Sequence, residues 1–344
     1  MKFKIETLES VNNPNSIHGI YPYRGKISAI DASQVLSQMP KGSIVLDPFC
    51  GSGTIVYEGL KYGLNTIGID ANPIAVLLTK GKINIPANLS TVETEVEDLI
   101  KQAKLLKNFP TAPEYPASLF HIDSMNEIMR MSTLFEEMSD YVKACFVGAI
   151  ALTARGCNDY KWTSSTVGKN ITPKRYIPFY DKFKLKVKKH FFPISNNSQV
   201  FYNDTRLANT FIPKDSVDFI FSSPPYFDCL DYTAYYAKIV YDILGYDRLQ
   251  IKDVLIQDFS NYKEDMHKVL LSLHDIMKPK GQVIFVVGDK KIHGKVINGA
   301  EFFNEISPFK HVQTIERSYS GTSSQIFDQL NNTSRKEQIV IWEK

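Results

Sequence analysis

Residues 43–73 read as a strand, a glycine-rich turn, a helix and a second strand, and that order leaves few folds open. Ser43 to Leu46 is a short strand. Asp47-Pro48-Phe49-Cys50-Gly51-Ser52-Gly53-Thr54 follows, and its glycines permit a tight turn and close approach of backbone to a ligand. A helix runs from about Gly53 to Tyr62 and stops at Gly63 and Asn65. Thr66 to Ile69 is a second strand ending in Asp70-Ala71-Asn72-Pro73, and a further helix passes through Ala75, Val76, Leu78 and Thr79. A βαβα run of this kind predicts a parallel sheet with right-handed crossovers.

A second stretch predicts where a ligand meets that sheet. Val217-Asp218-Phe219-Ile220-Phe221 is a buried strand, and Ser222-Ser223-Pro224-Pro225-Tyr226 ends it. Two prolines cannot continue a ladder, so a hydroxyl, freed carbonyls and an aromatic ring gather at the strand's carboxyl end. Open α/β sheets bind ligands at that edge. The glycine turn suits a nucleotide-like ligand, because the helix after it offers free amides. It lacks the lysine of a phosphate loop and the glycine spacing of a dinucleotide site. Asp70 can accept hydrogen bonds from both hydroxyls of a ribose, or cap the helix that begins at Pro73.

The remaining chain divides by pattern. Ala29, Ala32, Val35, Leu36 and Met39 recur at helical spacing before Pro40. Residues 84–198 interrupt the strands with helical signals: an acidic start (Glu93, Glu95, Glu97, Asp98), a helix over Ser124 to Met138, and a buried one over Tyr141 to Ala154. Strands resume at Gln199–Asn203, Val217–Ser222 and Gln282–Val287, with helices at about Tyr232–Leu244 and Tyr262–Met277 between them. Two late strands, His311–Glu316 and Gln338–Trp342, are expected to pair at the sheet edge. The expected division is a sheet unit over 1–83 and 199–344 with a mainly helical insertion over 84–198.

Charge has to be judged by position, because the net value of +3 diagnoses no partner. Residues 169–190 hold eight Lys or Arg against one acid, Asp181, with Tyr176, Phe179, Tyr180 and Phe183 interleaved. Lys169, Lys174, Arg175, Lys184, Lys186 and Lys188 are therefore candidates for phosphate contact, with the rings available for stacking, and a solvated basic face is the competing reading. Arg155, Asn158, Lys161 and Trp162 are a second candidate. Four cysteines show neither CxxC pairing nor zinc-ligand spacing, which points to reduced thiols and no metal. Without a signal-peptide core or a run long enough to span a bilayer, the expectation is a soluble, cytoplasmic protein away from membranes.

Taken together, Asp47 to Thr54, Ile69 to Pro73 and Ser222 to Tyr226 resemble the amino-methyltransferases that use S-adenosylmethionine, particularly the DNA cytosine-N4 and adenine-N6 group. The resemblance covers residues 18–82 and 200–342. It implies a Rossmann-like methyltransferase fold, doubly wound with a mostly parallel sheet. Asp47, Pro48, Phe49, Gly51, Gly53 and Thr54 would line the methionine end of the cofactor. Asp70 and Ala71 would hold the ribose, and Asp204 would contact the adenine amine, with Ser222 behind. His18 to Lys26 resembles the family's first cofactor motif, with Tyr23 and Lys26 as contacts. Ser223, Pro224, Pro225 and Tyr226 would be catalytic, and the base would be flipped from duplex DNA. Serine at the motif's first position resembles the cytosine-N4 members, whereas adenine-N6 members usually carry Asp or Asn. The expectation is therefore a cytosine-N4 DNA methyltransferase, the modification half of a restriction system. The alternatives are an adenine-N6 enzyme, an RNA base methyltransferase and an inactive nucleic-acid-binding subunit. Methylation at cytosine carbon-5 would need a nucleophilic cysteine. Cys50 lies in the cofactor turn and Cys229 follows Asp228, so that route is not expected.

Overall fold

In the computed structural model, residues 2–5, 16–23, 25–158, 175–225, 231–234, 236–292, 295–319 and 335–344 are described. Helix α1 (Ala29–Leu36) leads into β1 (Ile44–Asp47), α2 (Thr54–Lys61), β2 (Asn65–Asp70) and α3 (Pro73–Ile83). Five helices follow: α4 (Leu89–Leu105), α5 (Glu114–Leu119), α6 (Ile122–Ser132), α7 (Asp140–Cys157) and α8 (Phe179–Lys189). Then come β3 (Ser198–Tyr202), β4 (Val217–Ser222), α9 (Tyr236–Leu244), α10 (Arg248–Val254), α11 (Phe259–Ile276) and β5 (Met277–Gly288). A small hairpin, β6 (Lys290–Ile292) and β7 (Lys295–Ile297), precedes α12 (Gly299–Ile306), β8 (Lys310–Tyr319) and β9 (Arg335–Glu343).

Seven strands form one sheet in the order β3-β2-β1-β4-β5-β9-β8. The pairs from β3 to β5 are parallel, and β9 runs antiparallel to both β5 and β8. Strand order reverses between β1 and β4, so their carboxyl ends open a crevice at the switch point of a Rossmann-like sheet. The late strands form the expected antiparallel pair at one edge. Strand β5 begins earlier than its apolar run suggests, because Lys278 to Gly281 stays in the strand through a register shift against β4, with Lys280 at φ 65.

The helices between α3 and β3 build directly on the sheet. Helix α3 buries Ile74, Ala75, Val76, Leu78, Thr79, Gly81, Lys82 and Ile83, more than one face of a helix, so it needs cover on its outer side as well. Helix α7 supplies that cover. A Cβ on Gly81 would overlap Ala144, which is the close approach that glycine permits. One apolar cluster joins Phe146, Phe179 and Phe183 to Ile17, Tyr57, Leu78 and Ile239. Residues 84–198 thus share a core with segments before and after them. The helix expected over Ser124 to Met138 ends at Ser132, and a short 3-10 turn, Phe135–Glu137, follows it.

Candidate active site

The site is assembled where β1 and β4 end side by side. Ser222, fully buried at the last position of β4, donates from its hydroxyl to Asp47 Oδ1 at 2.7 Å. The backbone N–H of Phe49 donates to the same oxygen at 3.2 Å. The chain then turns through Gly51 and Gly53, at φ 50 and 73, into α2. Any side chain would be strained at both positions. A Cβ on Gly53 would also lie 2.7 Å from the Thr79 side chain, and one on Gly51 would lie 3.2 Å from the Tyr23 ring. The turn is anchored from β2: Asp70 accepts from the N–H of Gly51 and from that of Asn72, each at 2.8 Å. The cap of α3 is Asn72, whose Oδ1 accepts from the N–H of Ile74 at 2.9 Å. The helix-cap reading of Asp70 is therefore set aside, and its carboxylate faces the crevice.

These elements enclose a cleft of about 840 Å³, part of it open to solvent. Tyr23, Lys26, Asp47, Phe49, Gly51 and Thr54 line it, as do Asp70, Ala71, Asp204, Ser223 and Pro225. Pro48, Gly53, Ser222 and Pro224 belong to the same turns but are not among the lining residues, and Pro48 accepts a hydrogen bond from the Thr205 hydroxyl. The sequence reading missed Ser52, Asn72 and Thr205 in the wall, and also Tyr232 and Val254 to Ile256. Those last residues arrive from segments after β4, and nothing local in sequence marks them. Tyr226 lies outside the described residues, as do Lys161, Trp162, Lys169 and Lys174.

The cleft is built to receive positive charge. Burial pushes the Asp47 carboxyl up to about 7, against the hydrogen bonds from Ser222 and Phe49. Burial likewise raises Asp70 to about 6, against the N–H groups of Asn72 and Gly51. A cationic ligand would restore both carboxylates by charge attraction. Burial lowers Lys26 to about 8, and its ammonium donates to the His18 carbonyl at 2.6 Å. Asp204 caps the turn that follows it, and both of its oxygens accept from Arg206 Nε, at 3.0 and 2.8 Å. Arg206 also reaches Asp265 at 2.9 Å and the Val254 carbonyl at 3.1 Å, tying the α10–α11 side of the wall to the β3 side. Cys50 is buried, and burial followed by the nearby Asp70 and Asp47 carboxylates pushes its thiol well up. Such a thiol is no nucleophile.

Comparison with known proteins agrees with this geometry. The model of a family described as D12 class N6 adenine-specific DNA methyltransferase matches residues 30–318. The chain belongs to that family. Among curated relatives, the Type II methyltransferase M.MjaII of Methanocaldococcus jannaschii is 34% identical over 79 residues, 23% of this chain and 15% of that protein. M.MvaI of Kocuria varians, also a Type II methyltransferase, is 31% identical over 106 residues, 30% of this chain and 22% of that one. The matches thus span less than a quarter of either relative's length. The crystal structure of TrmN from Thermus thermophilus matches 93% of this chain and 50% of its own at 11% identity, with a TM-score of 0.38.

As in other D12-family chains, S-adenosylmethionine is the cofactor, and the residues present fit it. Two buried carboxylates face a cleft suited to a ligand with a sulfonium and an ammonium. Two buried polar atoms of the lining, Thr54 Oγ1 and Asn72 Nδ2, have no hydrogen-bond partner among the described residues and are available to a ligand. Family membership carries the amino-methyltransferase assignment but not the cytosine-N4 subtype, since the family is described by adenine N6.

The basic segment is arranged differently from its sequence reading. Its residues Phe179–Lys189 form α8, with Phe179, Phe183 and Val187 buried on the inner face. Those two rings pack in the core and are not exposed for stacking on bases; Tyr180 is also buried, whereas Tyr176 is exposed and its hydroxyl donates to Glu127. Lys184 lies 3.7 Å from Glu97 and Lys188 lies 2.9 Å from Glu93, so the outer lysines face the acidic side of α4. Lys186 points inward, donating to the Gly19 carbonyl at 3.1 Å, and Arg175 donates to the Gly156 carbonyl at 3.2 Å. Asn158 is buried and donates to the Leu119 and Ala154 carbonyls. Each described member of the basic candidate set thus has a partner within the protein.

Proposed function

We propose that this chain transfers a methyl group from S-adenosylmethionine to the exocyclic amine of a DNA base, with adenine N6 as the first reading. The observation that carries it is the meeting of two turns in one cleft. The Asp47–Thr54 turn and Asp70 line its cofactor side, and Ser223 and Pro225 of the acceptor turn line the same space. Family membership supports DNA and adenine. A second reading, cytosine N4, is favoured by Ser223 at the first position of the acceptor motif, where the adenine-N6 members usually carry Asp or Asn.

Bound S-adenosylmethionine supplies an electrophilic methyl group on a positively charged sulfur. The chain's own residues do the rest by positioning. An amine on an aromatic base is a weak nucleophile, because its lone pair is delocalised into the ring. The Ser223 hydroxyl and the Pro224 carbonyl would accept from its hydrogens and favour a pyramidal nitrogen with its lone pair toward the methyl group. Tyr226 would stack on the base, which must first leave the duplex. Attack by the amine nitrogen would form the nitrogen–carbon bond as the carbon–sulfur bond breaks, leaving the neutral thioether S-adenosylhomocysteine. The proton lost from the nitrogen would pass to solvent water. The Type II names of two relatives support a role as the modification half of a restriction system.

Incubating the protein with labelled S-adenosylmethionine and separate DNA and RNA pools, then hydrolysing to nucleosides, tests this reading. Label in N6-methyladenine from DNA supports the first form, and label in N4-methylcytosine the second. Label confined to RNA or to carbon-5 of cytosine overturns it. Cofactor binding with no transfer to any pool would leave a nucleic-acid-binding subunit instead.

A further inference from the structure

We propose that Lys82, acting through Ser52, holds the carboxylate of the cofactor's amino-acid tail, an inference that rests on S-adenosylmethionine occupying the cleft. Lys82 lies near the end of α3 and is 1% exposed. Its side chain runs beneath the glycine-rich turn, and Nζ lies 3.3 Å from Ser52 Oγ and 3.3 Å from His18 Nδ1. Among the described residues, no carboxylate lies within ion-pair distance of it. Burial, followed by the charge of Lys26, holds its pKa well below the ordinary lysine value. Burying an unpaired ammonium costs free energy through desolvation, so packing alone does not call for a lysine here.

The direction of each hydrogen bond follows from the far end of the network. Although burial opposes it, hydrogen bonds from His18 and Lys61 keep the Glu58 carboxyl below its ordinary pKa. Glu58 accepts from Lys61 at 2.7 Å and from the Ser33 hydroxyl at 3.0 Å. His18 Nε2 lies 2.8 Å from this carboxylate and must carry the hydrogen between them. In the neutral ring Nδ1 then holds a lone pair and accepts from Lys82. Burial lowers His18 to about 4, which keeps the ring neutral in ordinary buffers. Lys82 also donates to Ser52 Oγ. A hydroxyl that accepts from an amine has its own hydrogen free to donate, and no protein acceptor is found for that hydrogen among the described residues.

Ser52 is 4% exposed, and it lines the cleft. Two residues on, Thr54 Oγ1 is buried without a partner among the described residues, at the first position of α2, where helix N-terminal N–H groups lack intrahelical acceptors. Two hydroxyl donors and a helix N-terminus make a subsite for an anion, and an anion held there would in turn favour the charged form of Lys82 behind them. The one anionic group of S-adenosylmethionine is its carboxylate. Lys82 is thus a positioning residue, which sets Ser52 as a donor toward the anion.

Two ligands separate this role from a structural one. S-adenosylhomocysteine carries the amino-acid tail, whereas 5′-methylthioadenosine keeps the nucleoside and the sulfur and lacks the tail. Both are titrated calorimetrically into wild type, Lys82→Met, Ser52→Ala and the double variant. Each single variant is expected to lose about 10- to 100-fold in S-adenosylhomocysteine affinity, the effect of one hydrogen bond to a charged group. Affinity for 5′-methylthioadenosine should stay within about twofold, and the double variant should lose less than the two single losses combined, because the residues act in series. Unchanged S-adenosylhomocysteine affinity in Lys82→Met, or equal losses for both ligands, would overturn the proposal. If Lys82→Met does not fold, Ser52→Ala decides by the same comparison. Failure of wild type to bind S-adenosylhomocysteine is a separate result, which overturns the cofactor reading and this inference with it.

Discussion

Asp47→Asn should make the ligand-free protein more stable and the cofactor bind more weakly, and the first effect should depend on pH. Asp47 is 3% exposed, and its carboxyl rises from 3.8 to about 7 through burial. Between those values the native state holds a proton that the unfolded chain has released, so stability falls as pH rises through the window. Asparagine has the shape of the protonated acid, keeps an oxygen for the Ser222 hydroxyl and the Phe49 N–H, and carries no charge to desolvate. The variant's advantage over wild type should therefore grow by roughly 2–3 kcal/mol from about pH 5 to about pH 8. Asp70 also titrates in this range, but it is present in both proteins and largely cancels in the difference. Urea denaturation of the two proteins at both pH values, without ligand, measures the effect. S-adenosylhomocysteine should bind the variant at least about tenfold more weakly at the higher pH, since a charge-assisted contact to the ligand's ammonium is gone. Parallel stability at both pH values together with unchanged affinity would refute the reasoning and leave Asp47 as a brace between β1 and β4.

Three further outcomes follow from the site. Asp70→Ala should weaken cofactor binding by about 1–3 kcal/mol, the cost of leaving hydrogen-bonding groups unpaired, and unchanged calorimetric affinity would reduce Asp70 to an anchor for Gly51 and Asn72. Because Lys184 and Lys188 face Glu97 and Glu93, changing both to Gln should leave the salt dependence of DNA binding unaltered. A flatter slope in that double variant would put α8 back in the DNA interface. Tyr226→Ala should depress methyl transfer strongly while keeping cofactor affinity, and Tyr226→Phe should keep most activity, because the ring face meets the base. A cofactor-binding Tyr226→Ala variant with wild-type turnover would remove the stacking role.

Much of the cleft was legible in the sequence because its parts are local. Glycines at a strand–helix turn, an acid ending the next strand and prolines ending β4 each announce their backbone geometry within a few residues. What was not legible depends on distance. The acids near Glu93 and the lysines near Lys188 were both visible as charge runs, but nothing along the chain says that α4 and α8 would lie side by side. The aromatic residues among those lysines pointed to base stacking, yet Phe179, Phe183 and Val187 at four-residue spacing already described the buried stripe of a helix. Lys82 could be read as an ordinary lysine in the last turn of α3. Its role emerges only when His18 and Ser52 converge on it. The walls supplied by Tyr232 and Val254 to Ile256 come from connections whose paths are set by packing.

The central claim is that one cleft places the cofactor's methyl group against the Ser223–Pro225 turn. A crystal structure with sinefungin, whose amine stands where the transferable methyl group would be, tests it most directly. The account predicts the ribose hydroxyls on Asp70, the amino-acid tail on the Asp47–Thr54 turn, and the reporting amine directed at Ser223 and Pro224. Sinefungin bound outside this cleft, or inside it with that amine turned away from the Ser223–Pro225 turn, would contradict the account.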